Sequence, residues 1–163
     1  MFAEQNLIEI LFHHNLWSNM HLFDACLDLD LDQLKHANPG TYGSILETLQ
    51  HIVDAEDYYC YLLTRAELPA DASEITSIAA LKALCHTTST GLQKAAATIQ
   101  PDTQIQRRRG EETEVVPANV ILLQTLHHAH EHRTQVNTLL GQLGIKPPEI
   151  SGWSYYADQK GTP

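Results

Sequence analysis

Two histidines one helical turn apart, His128 and His132, lie on a stripe that is otherwise almost wholly apolar, and any fold for this chain has to satisfy both. The stretch Leu126-His127-His128-Ala129-His130-Glu131-His132-Arg133 carries four histidines within six positions. At about 100° per residue, positions four apart project from nearly the same side of an α-helix, so His128 and His132 share a face from which His127 and His130 diverge. Extending that face meets Ile121, Thr125, Val136, Leu139 and Leu143, which predicts that both rings point inwards. Burying imidazoles among aliphatic side chains costs free energy unless each ring nitrogen finds a partner. Side chains or water serve an ordinary core histidine, whereas a metal ion is a partner that two neutral rings can share. A tight metal site needs a third ligand from another helix, and the strongest candidate is His51, inside the helical segment Ile45 to Glu56.

The remainder reads as further helices. Leu7, Ile8, Leu11, Phe12, Leu16, Met20, Phe23 and Leu27 recur at helical spacing and predict a first amphipathic helix over 7–27, which includes Asn15 and Trp17. His13, His14 and His21 fall in a polar-flanked stretch of it and are expected to face solvent. The acidic run Asp28 to Gln33 and then Asn38-Pro39-Gly40 read as a helix end and a turn. Ser44 and Glu47 have the form of a capping box, which starts the second helix at about Ile45. There His51 shares a face with Thr48, Ala55, Tyr58 and Leu62, and the small Ala55 leaves room for an ion or a substrate. Glu56 lies on another side, where it is expected to support the ligands from behind or to sit at a dimer contact.

The connection from Arg65 to Thr76 is long enough to let the next helix run parallel to the last. That third helix spans about Ser77 to Ile99 and buries Ile78, Leu81, Leu84, Cys85, Leu92, Ala95 and Ile99, while Gly91 and the Thr-rich run before it weaken its middle and invite a bend. Gln104 to Val116 reads as a short β-hairpin turning near Gly110, with a basic strand beside an acidic one. Arg107, Arg108 and Arg109 read as a solvated charge run, the alternative being that they hold a substrate carboxylate. Pro117 opens the fourth helix and Gly144 closes it. The tail Ile150 to Asp158 is too aromatic for an idle linker and is expected to be irregular, packed back on the helices or on a partner chain.

A chain of 163 residues suits one domain spanning 1–163, with enough length for a real core. Its formal charge of −10, from 10 Lys+Arg against 20 Asp+Glu, opposes attraction to phosphate backbones, so nucleic acid is not an expected partner. Met1 to Asn6 lacks the basic start of a secretory signal and no run of ~18 apolar residues occurs, which predicts a soluble, cytoplasmic protein with no membrane partner. Cys26, Cys60 and Cys85 are isolated and odd in number, as buried thiols in a reducing compartment would be. No Gly-x-Ser-x-Gly motif and no phosphate-cradling glycine loop is present.

Three histidines without a carboxylate or thiolate leave a divalent ion its full charge and open positions, the pattern of a catalytic site. Imidazole suits several ions; zinc or nickel are the first choices, with iron, manganese and copper as the others. Such an ion lowers the pKa of a bound water to about 7 or binds a thiol as thiolate, and either is a nucleophile at neutral pH.

His51 followed by Glu56, the late His128-x-x-x-His132-Arg133 with Gln135, the early Asn15-x-Trp17 and the terminal Trp153 with Tyr156-Ala157 together resemble the DinB-like, damage-inducible superfamily over nearly the whole chain. The resemblance implies an all-α four-helix bundle of up-down-down-up topology, often a homodimer, with a metal held at the positions of His51, His128 and His132. Where relatives often carry a further histidine before the second ligand, this chain has Glu131. Some relatives are S-transferases or isomerases that use low-molecular-weight thiols such as bacillithiol, mycothiol or glutathione. The resemblance therefore implies a metal-dependent transferase acting on a small-molecule substrate through a metal-bound thiolate. The alternatives are a metallohydrolase with Glu56 or Glu131 as proton acceptor, and a non-enzymatic metal-binding bundle.

Overall fold

The computed structural model describes residues 6–66 and 69–161; the acidic start Met1 to Gln5 and the part of the predicted connection at Glu67 and Leu68 lie outside them. The elements in order are α1 (Leu7–Cys26), α2 (Leu31–Leu34), α3 (Ile45–Thr64), a 3₁₀ turn (Ala72–Glu74), α4 (Ile78–Thr98), β1 (Gln104–Arg109), β2 (Glu112–Pro117), α5 (Ala118–Gln142) and α6 (Gly152–Gln159). The chain is mostly helical with one two-stranded antiparallel sheet. No described helix is long and apolar enough to cross a membrane.

Side chains that satisfy free backbone N–H groups set most helix starts. Asn6 with Glu9, Asp30 with Gln33 and Ser44 with Glu47 each form a capping box, and Ser77 caps α4. The acidic run after α1 is thus not only a helix end and turn: Asp30 and Gln33 enclose the one-turn helix α2. Pro117 precedes α5 with no side-chain cap, and Gly144 follows it at φ +74°, a conformation that glycine adopts without Cβ strain.

The chain returns along α3 before α4 begins. The Ala70 N–H donates to Asp57 Oδ2 at 2.7 Å, the Ala72 N–H to Asp54 Oδ1 at 2.7 Å, and Gln50 Nε2 donates to the Ser73 and Ile75 carbonyls at 2.9 and 3.0 Å. As the connection advances from 70 to 75 its partners recede from 57 to 50, so α4 starts beside the beginning of α3 and runs parallel to it, as the length of the connection predicts. Thr88 Oγ1 donates to Asp57 Oδ1 at 3.3 Å, in keeping with that direction. α4 is continuous through Gly91, with no break at the expected weak point. A Cβ at Gly91 would lie 2.7 Å from Cys60 Sγ, so the glycine serves close approach of α3 and α4.

The remaining pairings follow from named contacts. Lys82 of α4 pairs with Asp24 near the end of α1, and Gln93 Nε2 donates to the Phe12 carbonyl at 3.4 Å, which sets those helices antiparallel. His51 meets His128 while Leu62 packs with Ile121, so α3 and α5 are antiparallel as well. Phe12 clusters with Leu122, and Leu22 and Phe23 with Val136 to Leu140, so α1 and α5 run the same way.

Two apolar ends flank a polar waist. One end holds Leu22, Phe23, Cys26, Ile45, Leu49, Ile52, Leu81, Val136, Leu139 and Leu140, and the other holds Phe12, Leu62, Leu92, Ile105, Ile121 and Leu122. Each fully buried leucine there contributes roughly 1.5–3 kcal/mol, which offsets the desolvation of what lies between. Along α1, α3, α4 and α5 alike, buried polar residues separate the ends: Asn15 and Asn19, Glu56, Ser89, then His132 and Arg133. This waist corrects the predicted face of α1. Leu7 is 70% and Leu27 41% exposed, because the helix turns Asn15, Ser18 and Asn19 inwards instead.

The hairpin turns at Gly110, φ +63°, and pairs Arg107 with Glu114 and Arg109 with Glu112 across the strands. The tail departs from expectation. Its aromatic stretch is not irregular but forms α6, because Ser151 accepts from the Ser154 N–H at 3.1 Å and starts a two-turn helix too short to show periodicity in sequence. It does pack back on the helices: Trp17 Nε1 donates to Asp158 Oδ2 at 2.9 Å, and the Trp17 and Tyr155 ring centroids lie 5.4 Å apart.

Candidate metal centre

His51 lies in the second turn of α3, and the Ser44–Glu47 cap sets the phase of that turn. From α5, His128 and His132 project towards it, one turn apart. The Nε2 atoms of His51 and His128 are 2.9 Å apart, and one nitrogen from each of the three rings lies within 4.8 Å of the others. That span is close to two metal–nitrogen bonds of about 2.1 Å each. His132 is 7% exposed, and His51 and His128 are half-buried.

Two of the rings, His51 and His128, are held as neutral bases. Burial, reinforced by His132 and His51, brings His128 down to about 4. Burial also lowers His51, as does His132, with Asp54 opposing. If the two Nε2 atoms bond only to each other they must share one proton, and His128 Nδ1 is buried with no partner, so protein groups alone leave the cluster under-satisfied. A cation that accepts three lone pairs without a proton fits this donor set.

Neighbouring residues fix the ring orientations. His132 Nδ1–H donates to Gln135 Oε1 at 3.2 Å, which leaves Nε2 as the free lone pair, and the Tyr42 N–H donates to the same oxygen at 2.9 Å. Tyr42 also stacks on His51, centroids 3.9 Å apart and planes 9° apart, and stands edge-on to His132 at 5.3 Å. Tyr59 stands edge-on to His128 at 6.1 Å. One cleft opens at the triad, and a second, which none of the three histidines lines, adjoins Tyr59. The first, of about 320 Å³, is lined by Tyr42, Glu47, Gln50, His51, Asp54 and Ser73, and the second, of about 400 Å³, is lined in part by Gln124, Arg107 and Arg109. A larger cavity of about 640 Å³ under the hairpin touches none of the three histidines.

The other candidates fall elsewhere. His127, His130 and Glu131 are exposed. Glu56, expected behind the ligands or at a dimer contact, is 0% exposed in the waist, which removes the dimer contact. It accepts from Asn15 Nδ2 at 2.7 Å, Asn19 Nδ2 at 2.9 Å and Ser89 Oγ at 2.6 Å. Arg133 Nη1 donates to the oxygens of the same two asparagines at 2.7 Å each, so Glu56 and Arg133 form a buried charge pair bridged by amides. His13 faces solvent as expected; His14 and His21 do not fully, since His14 bonds the Ile150 carbonyl at 2.9 Å and His21 packs at a tilt against Trp17, centroids 4.2 Å apart. Cys26 and Cys85 are buried free thiols raised by desolvation, Cys26 to about 12, while Cys60 is only half-buried.

Sequence reasoning missed Tyr42 and Asp54. Tyr42 belongs to a turn without periodicity, and nothing local distinguishes it. Asp54 could have been found, since it lies three residues beyond His51 on the same side of α3.

The DinB family model matches residues 1–161 of the chain. No curated protein matches it significantly.

Proposed function

The chain belongs to the DinB family, and from that premise we propose that it is a divalent-metal-dependent enzyme that joins or isomerises small molecules with the help of a low-molecular-weight thiol. One observation carries the reading: three imidazoles from two helices converge within 4.8 Å, with a cleft open at His51. His51, His128 and His132 are the ligands in this reading, and zinc or nickel is the ion. The ion supplies Lewis acidity, which makes a thiol or a water nucleophilic at neutral pH. The chain's own residues supply the rest. Gln135 holds the His132 ring, Tyr42 covers His51 on one side, and the Arg109 side of the neighbouring cleft suits an anionic group of the thiol or its partner. The pairings of α1, α3, α4 and α5 support the up-down-down-up bundle as the scaffold.

A second reading, hydrolysis by activated water, is favoured by Asp54. Asp54 lines the His51 cleft, and burial raises its carboxyl from the ordinary value, which improves it as a proton acceptor. Glu56, saturated by three donors, and exposed Glu131 are poorer placed for that role.

Metal analysis of gently purified protein tests the premise, with about one ion per chain expected, lost in His51→Ala, His128→Ala and His132→Ala but kept in His127→Ala. Conjugation of a generic electrophile with a panel of thiols, beside an ester and amide panel without thiol, then separates the readings. Thiol-dependent turnover supports the first and Asp54-dependent hydrolysis the second; a metal-loaded protein inert on both panels overturns the enzymatic reading.

A further inference from the structure

On the far side of α5 from the triad, a cavity of about 360 Å³ is lined by His14, His130, Arg133, Thr134, Asn137 and Thr138, and closed by Ile150 and Ser151 of the C-terminal segment. No carboxylate is among these lining residues, although the chain carries 20 Asp+Glu against 10 Lys+Arg. Arg133 is 3% exposed, and its hydrogen bonds among the described residues all run through Nη1, to Asn15 and Asn19. Its Nε is buried and has no partner. One turn further along α5, Asn137 Oδ1 is likewise buried without a partner, and Asn137 makes no side-chain hydrogen bond among the described residues.

This pattern is informative because of which part of the guanidinium is used. The two asparagines hold the Nη1 end, which leaves the Nε/Nη2 edge, the side that forks onto a carboxylate or phosphate with two parallel hydrogen bonds. A buried donor left unbonded costs about 1–3 kcal/mol, so an unpaired Nε beside a polar cavity is a group awaiting an acceptor. The Asn137 amide can turn its Nδ2 towards the same point. Glu56 already balances the guanidinium charge, but through Asn15 and Asn19, on the side of Arg133 away from the unpaired Nε.

We infer that this cavity is a binding site for a small oxyanion, a carboxylate or a phosphoryl group, held by the Nε edge of Arg133 and the amide of Asn137. The site is distinct from the histidine triad, with which it shares only α5. Binding there ties the segment at Ile150 and Ser151, already fastened to α1 through His14, to the middle of α5.

Titration calorimetry of the full chain with sodium acetate, and separately with inorganic phosphate at ionic strength balanced by chloride, tests the assignment. Saturable binding of at least one probe is expected in the wild type and in His128→Ala, which removes anion binding at a triad-held ion. Asn137→Leu removes the amide, and His130→Glu places a carboxylate at the exposed rim of the cavity; each is expected to weaken binding tenfold or more while the circular dichroism spectrum is unchanged. Acetate alone identifies a carboxylate site and phosphate alone a phosphoryl site. Absence of saturable heat with either probe, undiminished affinity in both Asn137→Leu and His130→Glu, or loss of binding in His128→Ala overturns the inference.

Discussion

His51 Nε2 and His128 Nε2 face each other at 2.9 Å across the α3–α5 interface, two bases with at most one proton between them. Such a contact is stable only while the rings stay neutral, which ties the packing of α3 against α5 to pH. His128 in the fold sits at about 4, against an ordinary 6.5. Between those values the unfolded chain takes up a proton that the native state refuses, so stability contributed by this site is complete above about pH 6.5 and is lost as pH falls from 6.5 towards 4. Melting temperature in the presence of chelator, measured from pH 8 to 4, is expected to fall more steeply for the wild type than for His128→Gln. Parallel curves for the two proteins would show that the ring is not desolvated.

Gln135 is expected to tune metal affinity without touching the ion. Its Oε1 receives His132 Nδ1–H and the Tyr42 N–H together, so Gln135→Leu frees the ring and the turn that stacks on His51. Removal of such an orienting partner typically weakens metal binding about 10–100-fold. Competition with a chromogenic chelator measures it, and an affinity within twofold of wild type would mean that the hydrogen bond has no orienting role.

Glu56→Gln is expected to destabilise the fold by about 3–5 kcal/mol, because it leaves the Arg133 guanidinium, 3% exposed, without its charge partner. The Glu56 carboxylate is 0% exposed and accepts three hydrogen bonds, of which an amide oxygen and nitrogen can satisfy only part. Urea denaturation of metal-free protein reads the loss. A change under about 1 kcal/mol would show that the amide bridge, rather than the charge, holds the waist together.

At Gly91 the effect of alanine should depend on Cys60. In an ordinary helix interior, Gly→Ala gains about 1 kcal/mol. Here the new Cβ would lie 2.7 Å from Cys60 Sγ, so the wild-type background is expected to withhold that gain and Cys60→Ala to restore it. A double-mutant cycle with no coupling between the two positions would rule out the steric explanation.

The elements whose sequence carries a local physical signal were readable. Ser44–Glu47 starts α3 where the capping pattern puts it, the Pro117 to Gly144 interval holds α5, and the i, i+4 pair His128 and His132 meets His51 as the apolar stripe implies. Misreadings arose where a long-range partner overrode local pattern. The apolar periodicity of α1 pointed to Leu7, Leu11 and Leu27, yet the helix buries Asn15, Ser18 and Asn19, because Glu56 and Arg133 on other helices need the amides of the two asparagines. No window of α1 alone contains that information. Gly91 looked like a weak point for the same reason: its neighbour, Cys60, is thirty-one positions away, and only the packed structure brings them together. α6 escaped because eight residues give too few turns for a period, and the side chain it docks against, Trp17, lies on α1.

His132 and Arg133 are consecutive on α5, one turned to the rings of α3 and the other to the amides of α1. The helix is therefore locked like a shaft keyed on two flanks: to swivel or slide it must surrender either an imidazole or a guanidinium. A single inserted residue between His128 and Arg133 would throw both flanks out of phase at once.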